Sequence, residues 1–132
     1  MPVAVSSNPF GHVDVRVRDL SQALVFYQQL LPALGFTKSF QGDAWCVFGT
    51  DGQIPEAPYF AFTEDKMHSP SPHRLAFWVH ERGEVDRVAE VARQAGASRV
   101  DGPMATPYSS GHYAVFIDDP CGNRLEVYHR VD

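Results

Sequence analysis

A length of 132 residues fits one compact domain, read as a single unit over 1–132, and a second catalytic domain is not expected within it. Hydrophobic residues at 44% and charged residues at 20% exclude a disordered chain, and a net charge of −5 with interspersed signs and no Lys/Arg cluster excludes a phosphate-tracking nucleic-acid surface. Met1 to Phe10 lacks a signal-peptide pattern and no run approaches the roughly 18–20 apolar residues that span a bilayer, so a cytoplasmic protein without a membrane partner is expected.

The first element is HVDVRV, starting at His12. Val13, Val15 and Val17 alternate with His12, Asp14 and Arg16, which predicts a half-buried strand with one polar face. Asp19 followed by Gln22 resembles a capping box, and Leu20, Ala23, Leu24, Tyr27, Leu30, Leu31 and Leu34 recur at helical spacing. Pro32 should kink or tighten that helix before Gly35 ends it. Short strands are expected over Thr37 to Phe40, Ala44 to Phe48 and Tyr59 to Thr63.

The same order then returns. A strand at Leu75 to Val79 precedes a helix carrying Val85, Val88, Ala89, Ala92 and Ala95 on one face and closed by Gly96. Strands follow near Ser98 to Val100, Tyr113 to Asp118 and Arg124 to His129. HVDVRV matches RLAFWV, LGF matches AGA, and AWCVFG matches HYAVFI, so the chain reads as two modules at about 10–63 and 73–130. The segment from Glu64 to Pro72, with its Pro/Ser run, is the surface linker. Asp119, Pro120, Cys121, Gly122 and Asn123 form a tight turn, and Glu126 sits mid-strand between Leu125 and Val127. The loop from Pro103 to His112 is long and rich in turn residues, which suits a lid. Cys46 and Cys121 have no CxxC spacing and read as a core residue and a turn residue.

Three segments, HVDVRVRDLSQALVFYQQLLPALGF, HRLAFWVHERGEVDRVAEVARQAGA and YAVFIDDPCGNRLEVYH, together resemble the vicinal oxygen chelate superfamily, the glyoxalase and bleomycin-resistance fold. The resemblance implies an α+β fold in which two βαβββ modules form a curved, incompletely closed mixed sheet around a central cleft, and a homodimer. It also implies one divalent metal, nickel, zinc, manganese or iron, held by a His on the first strand of each module and a Glu on the last strand. His12 and Glu126 stand at the first and last of these positions. Arg74 stands at the middle one, with His73 one residue earlier, and His73 ligates only if the strand begins irregularly. The internal repeat pairs Glu126 with Ala61, so a carboxylate that glyoxalase I proper uses is missing.

Two functions compete on these residues. One is a glyoxalase-like lyase or isomerase in which His12, His73 and Glu126 hold the metal, Glu126 doubles as base, and the metal stabilises a chelated oxyanion of a small oxygen-rich substrate. The other is a metal-free small-molecule or antibiotic-binding protein with Arg74 in the pocket, its fork holding a carboxylate or phosphate. Arg74 could instead neutralise Glu126 across the cleft. Arg16, Trp78 and Tyr113 are further substrate-binding candidates, although the last stands on a strand whose cavity face, Tyr113, Val115 and Ile117 or Ala114 and Phe116, is open at this point. His112 is a loop histidine without a visible partner, and a proton shuttle is its functional reading.

Overall fold

The alternation at His12 builds strand β1 over His12–Val17. Val17 is fully enclosed and Val13 and Val15 pack on the core, while His12, Asp14 and Arg16 stay exposed. The computed structural model describes residues 9–51 and 57–131.

Helix α1, Leu20–Ala33, starts where the Asp19 carboxylate accepts a hydrogen bond from the Gln22 amide. It buries Leu20, Ala23, Phe26, Tyr27, Leu30 and Leu31. Pro32 is accommodated inside its last turn, and Gly35 follows at φ +97°, a conformation that favours glycine. Strands β2 (Lys38–Gln41), β3 (Trp45–Gly49) and β4 (Tyr59–Glu64) complete the module, in the order β1-β4-β3-β2. The β1–β4 pair is parallel and the others antiparallel.

The second module repeats this plan with β5 (Arg74–Trp78), α2 (Arg82–Ala95), β6 (Arg99–Ala105), β7 (Tyr113–Asp118) and β8 (Arg124–His129), in the order β5-β8-β7-β6. Helix α2 opens on a capping box between Glu81 and Glu84 and closes on Gly96 at φ +99°. Strand β6 is longer than the short strand expected near Ser98 to Val100. It continues through a register shift between Asp101 and Met104 to Ala105, which shortens the expected lid to the seven residues from Thr106 to His112.

Among the described residues the architecture is therefore α+β, two βαβββ modules giving two four-stranded mixed sheets and no closed barrel. The helices pack on each other and on the inner faces of their own sheets, so both modules share one core. Phe60 of β4 and Phe77 of β5 meet across the modules at 5.8 Å. The turn after β7 is tied to α1 by a 2.6 Å hydrogen bond from the Tyr27 hydroxyl to the buried Asp119 carboxylate. Among the described residues no helix is long and apolar enough to cross a membrane.

Candidate functional site

Strands β1 and β5 are edges of their sheets, and they face each other without pairing. The gap between them is a cleft of about 950 Å³ that takes residues from both modules. His12, Tyr59, Trp78 and Tyr128 give it an aromatic rim, above a floor that includes Phe60 and Phe77. His12 lies flat on Tyr59, with ring centroids 4.4 Å apart and planes 3° from parallel. Trp78 is half exposed there, with His80 at 4.5 Å edge-on. A rim of this kind stacks flat apolar molecules.

A second concavity, about 260 Å³, lies on the outer face of the second sheet. Register explains its lining: Arg74, Arg124, Asp118, Phe116, Arg99 and Asp101 all share the face opposite the helices. Tyr108 of the shortened loop closes one side. The Arg74 guanidinium lies over the Phe116 ring at 4.7 Å, a cation–π contact. Arg74 lines both concavities and joins them.

Glu126 lies on the same face, opposite Ala76 and Phe116, and is only 9% exposed. A carboxylate so enclosed needs a partner. That partner is His112, whose Nε2 is 3.3 Å from Glu126 Oε2. His112 is itself buried, stacks on Tyr128 at 5.0 Å, and shares a hydrogen bond through Nδ1 with the Thr106 hydroxyl. Loop, sheet and carboxylate thus form one chain of contacts, Thr106 to His112 to Glu126.

Two expectations are corrected here. Arg74 does not neutralise Glu126: it stands opposite Arg124 in register, and the imidazole of His112 takes the carboxylate instead. Tyr113 does not face the groove. Its parity turns it to α2, where its hydroxyl donates to Asp86 at 2.6 Å and Arg82 lies over its ring at 4.8 Å. That hydrogen bond, with lesser help from burial, raises the phenol above its usual pKa. The open face of β7 is the other set, Ala114, Phe116 and Asp118.

The remaining sites are scattered. Arg16 is on the open face of the first sheet, held by Asp14 at 2.7 Å. His73 is exposed, one residue before β5, and its imidazole makes no hydrogen bond among the described residues. His12 and Glu126 stand on different sheets. His112, a loop histidine in the sequence, is the partner of Glu126. Its signal was the sheet alternation, which places Glu126 and Tyr128 on one face and so calls for a group to cover the carboxylate.

The metal reading can be tested against these donors. Among the described residues no three His, Cys, Asp or Glu side chains gather closely enough to hold an ion. Arg74 has no lone pair to offer at the second histidine position, and Glu126 is already engaged by His112. The donor set of one chain does not fit the metal that the resemblance implies.

The family model described as Glyoxalase/Bleomycin resistance protein/Dioxygenase superfamily matches residues 10–127. No curated protein matches. The fold is similar to that of a glyoxalase/bleomycin resistance protein from Albidiferax ferrireducens T118, at 21% identity and TM-score 0.77 over 94% of this chain and 100% of that one. It is similar to a glyoxalase/bleomycin resistance protein/dioxygenase family enzyme from Burkholderia phytofirmans PsJN, at 21% identity and TM-score 0.69 over 92% and 98%. The fosfomycin resistance protein FosX from Mesorhizobium loti shares it at 17% identity and TM-score 0.63 over 99% and 95%. At such identities the likeness is one of fold.

Proposed function

The chain belongs to the glyoxalase/bleomycin resistance protein/dioxygenase superfamily, and from that premise we propose that it is a small-molecule-binding protein that works without a metal. A flat apolar body stacks in the cleft between β1 and β5, against Trp78 and Tyr128. Arg74 anchors an acidic group. The observation that carries this reading is the state of Arg74, which lines both concavities, lies over the Phe116 ring, and is not neutralised by Glu126. Drug sequestration in the cytoplasm is one setting for such a protein.

The competing reading is a metal-dependent lyase or isomerase with His12, His73 and Glu126 as ligands. Its support is Glu126, an enclosed carboxylate beside an imidazole, which suits a base. The donor set supports it less well, and no step is derived through an ion. We also propose a homodimer, because the open face of the first sheet carries Phe40 and Trp45, 68% and 36% exposed and 5.5 Å apart.

One experiment separates the readings. Protein purified without chelator or nickel resin is analysed for metals, beside a His12→Ala, Glu126→Gln variant, and is then titrated with 1-naphthoate before and after Arg74→Gln. The expected result is no stoichiometric metal and a naphthoate affinity that falls about tenfold in Arg74→Gln, the loss of one charge-assisted contact. One metal per chain, absent from the double variant, would overturn the metal-free reading.

A further inference from the structure

The two strands that carry Arg74 and Arg124 are parallel neighbours, and the two arginines are direct register partners on the same face. Like charges placed opposite one another on a sheet destabilise it. A neutralising carboxylate would be expected beside them. None takes that role among the described residues: the Arg124 side chain makes no hydrogen bond or ion pair, and the Arg74 side chain has only its contact with Phe116. Asp118 stands opposite Arg124 across β7 and β8, yet no ion pair joins them. Arg99, the third arginine of the groove, is already held by Asp101 at 3.4 Å.

We propose that Arg74 and Arg124 form a two-armed clamp for a doubly charged oxyanion group, such as a phosphoryl group, carried by a flat aromatic ligand. The inference rests on the ligand-binding reading above and names its ligand class. Each guanidinium offers a planar fork of N–H donors, and two forks side by side match an acceptor with several oxygens and two charges better than a single carboxylate. Phe116 lies beneath one fork at 4.7 Å, and Tyr108 limits the groove at the loop side. Because Arg74 lines both concavities, an anion held between the arginines leaves its aromatic body directed toward the aromatic rim of the cleft. The bound dianion would also remove the repulsion between the two strands, so binding should stabilise the second sheet.

The test uses the full chain and three probes read by calorimetry: 1-naphthyl phosphate, 1-naphthoate and 1-naphthol. Wild type should bind the phosphate at least about tenfold tighter than the carboxylate, and the neutral naphthol weakest. Arg124→Gln should erase the preference of phosphate over carboxylate while naphthol affinity stays unchanged. Lys66→Gln, which removes one positive charge at an exposed position that lines neither concavity, should leave the preference in place. Equal affinity for phosphate and carboxylate in the wild type, or a preference that survives Arg124→Gln, overturns the clamp. If the clamp fails in that way while naphthol and naphthoate still bind, the ligand-binding reading stands. If none of the three probes binds, both fall.

Discussion

His112 Nε2 lies 3.3 Å from Glu126 Oε2, and this contact joins the loop after β6 to the middle of the last strand. Both side chains are almost excluded from water, so Glu126 depends on His112 for its polar partner. The stack of His112 on Tyr128 and its bond to Thr106 leave the imidazole little freedom to turn away.

Replacing His112 by Phe keeps a ring over Tyr128 but leaves the Glu126 carboxylate enclosed without its partner. The expected cost is about 2 kcal/mol in urea unfolding. Glu126→Gln in the same background should recover part of it, and a double-mutant cycle should show a coupling of roughly 0.5–3 kcal/mol. Additive effects would mean that the contact contributes nothing.

Tyr27→Phe removes the hydroxyl that donates to Asp119. Asp119 also accepts from the amides of Cys121 and Asn123, so the turn should persist while the protein loses about 1–3 kcal/mol. Burial first, and the Asp119 charge second, raise the Tyr27 phenol well above its usual value of 10.0. The sign follows: the unfolded chain ionises this tyrosine first, so stability is intact below about pH 10 and is lost above it. Tyr27→Phe should flatten that alkaline decline, as urea midpoints measured from pH 8 to 11 will report.

Cys46 and Cys121 are both buried, and burial pushes both thiols up from their ordinary value. At pH 8 the native protein should therefore react slowly with Ellman's reagent, and both thiols should titrate promptly once urea unfolds it. A fast native thiol would contradict the enclosed position of one of them.

The proposed homodimer is tested by Phe40→Ser with Trp45→Ser. These side chains are exposed and belong to no core, so folding should be retained while the sedimentation mass falls toward that of one chain. A wild-type protein that already sediments as a monomer removes the proposal.

Local chemistry made much of the fold legible. The valine alternation in β1, the Asp19 cap, the glycines that close both helices and the Asp119 turn each act over a few residues, and those are distances over which a sequence speaks directly. The repeat of these signals was enough to give two modules. β6 runs past its sequence signal because the register shift between Asp101 and Met104 breaks the alternation that marks a strand.

Side-chain partnership across the sheet was another matter. The sequence by itself determined that Glu126 would be an isolated charge between two core residues and that Arg74 would occupy a histidine's place. Only the tertiary structure decided that Glu126 is answered by His112, that Arg74 faces Arg124, and that Tyr113 turns to Asp86. The physical reason is register. A strand's alternation says which residues share a face, but which face meets the helices, and which neighbour stands opposite, depends on pairings made between segments far apart in the chain.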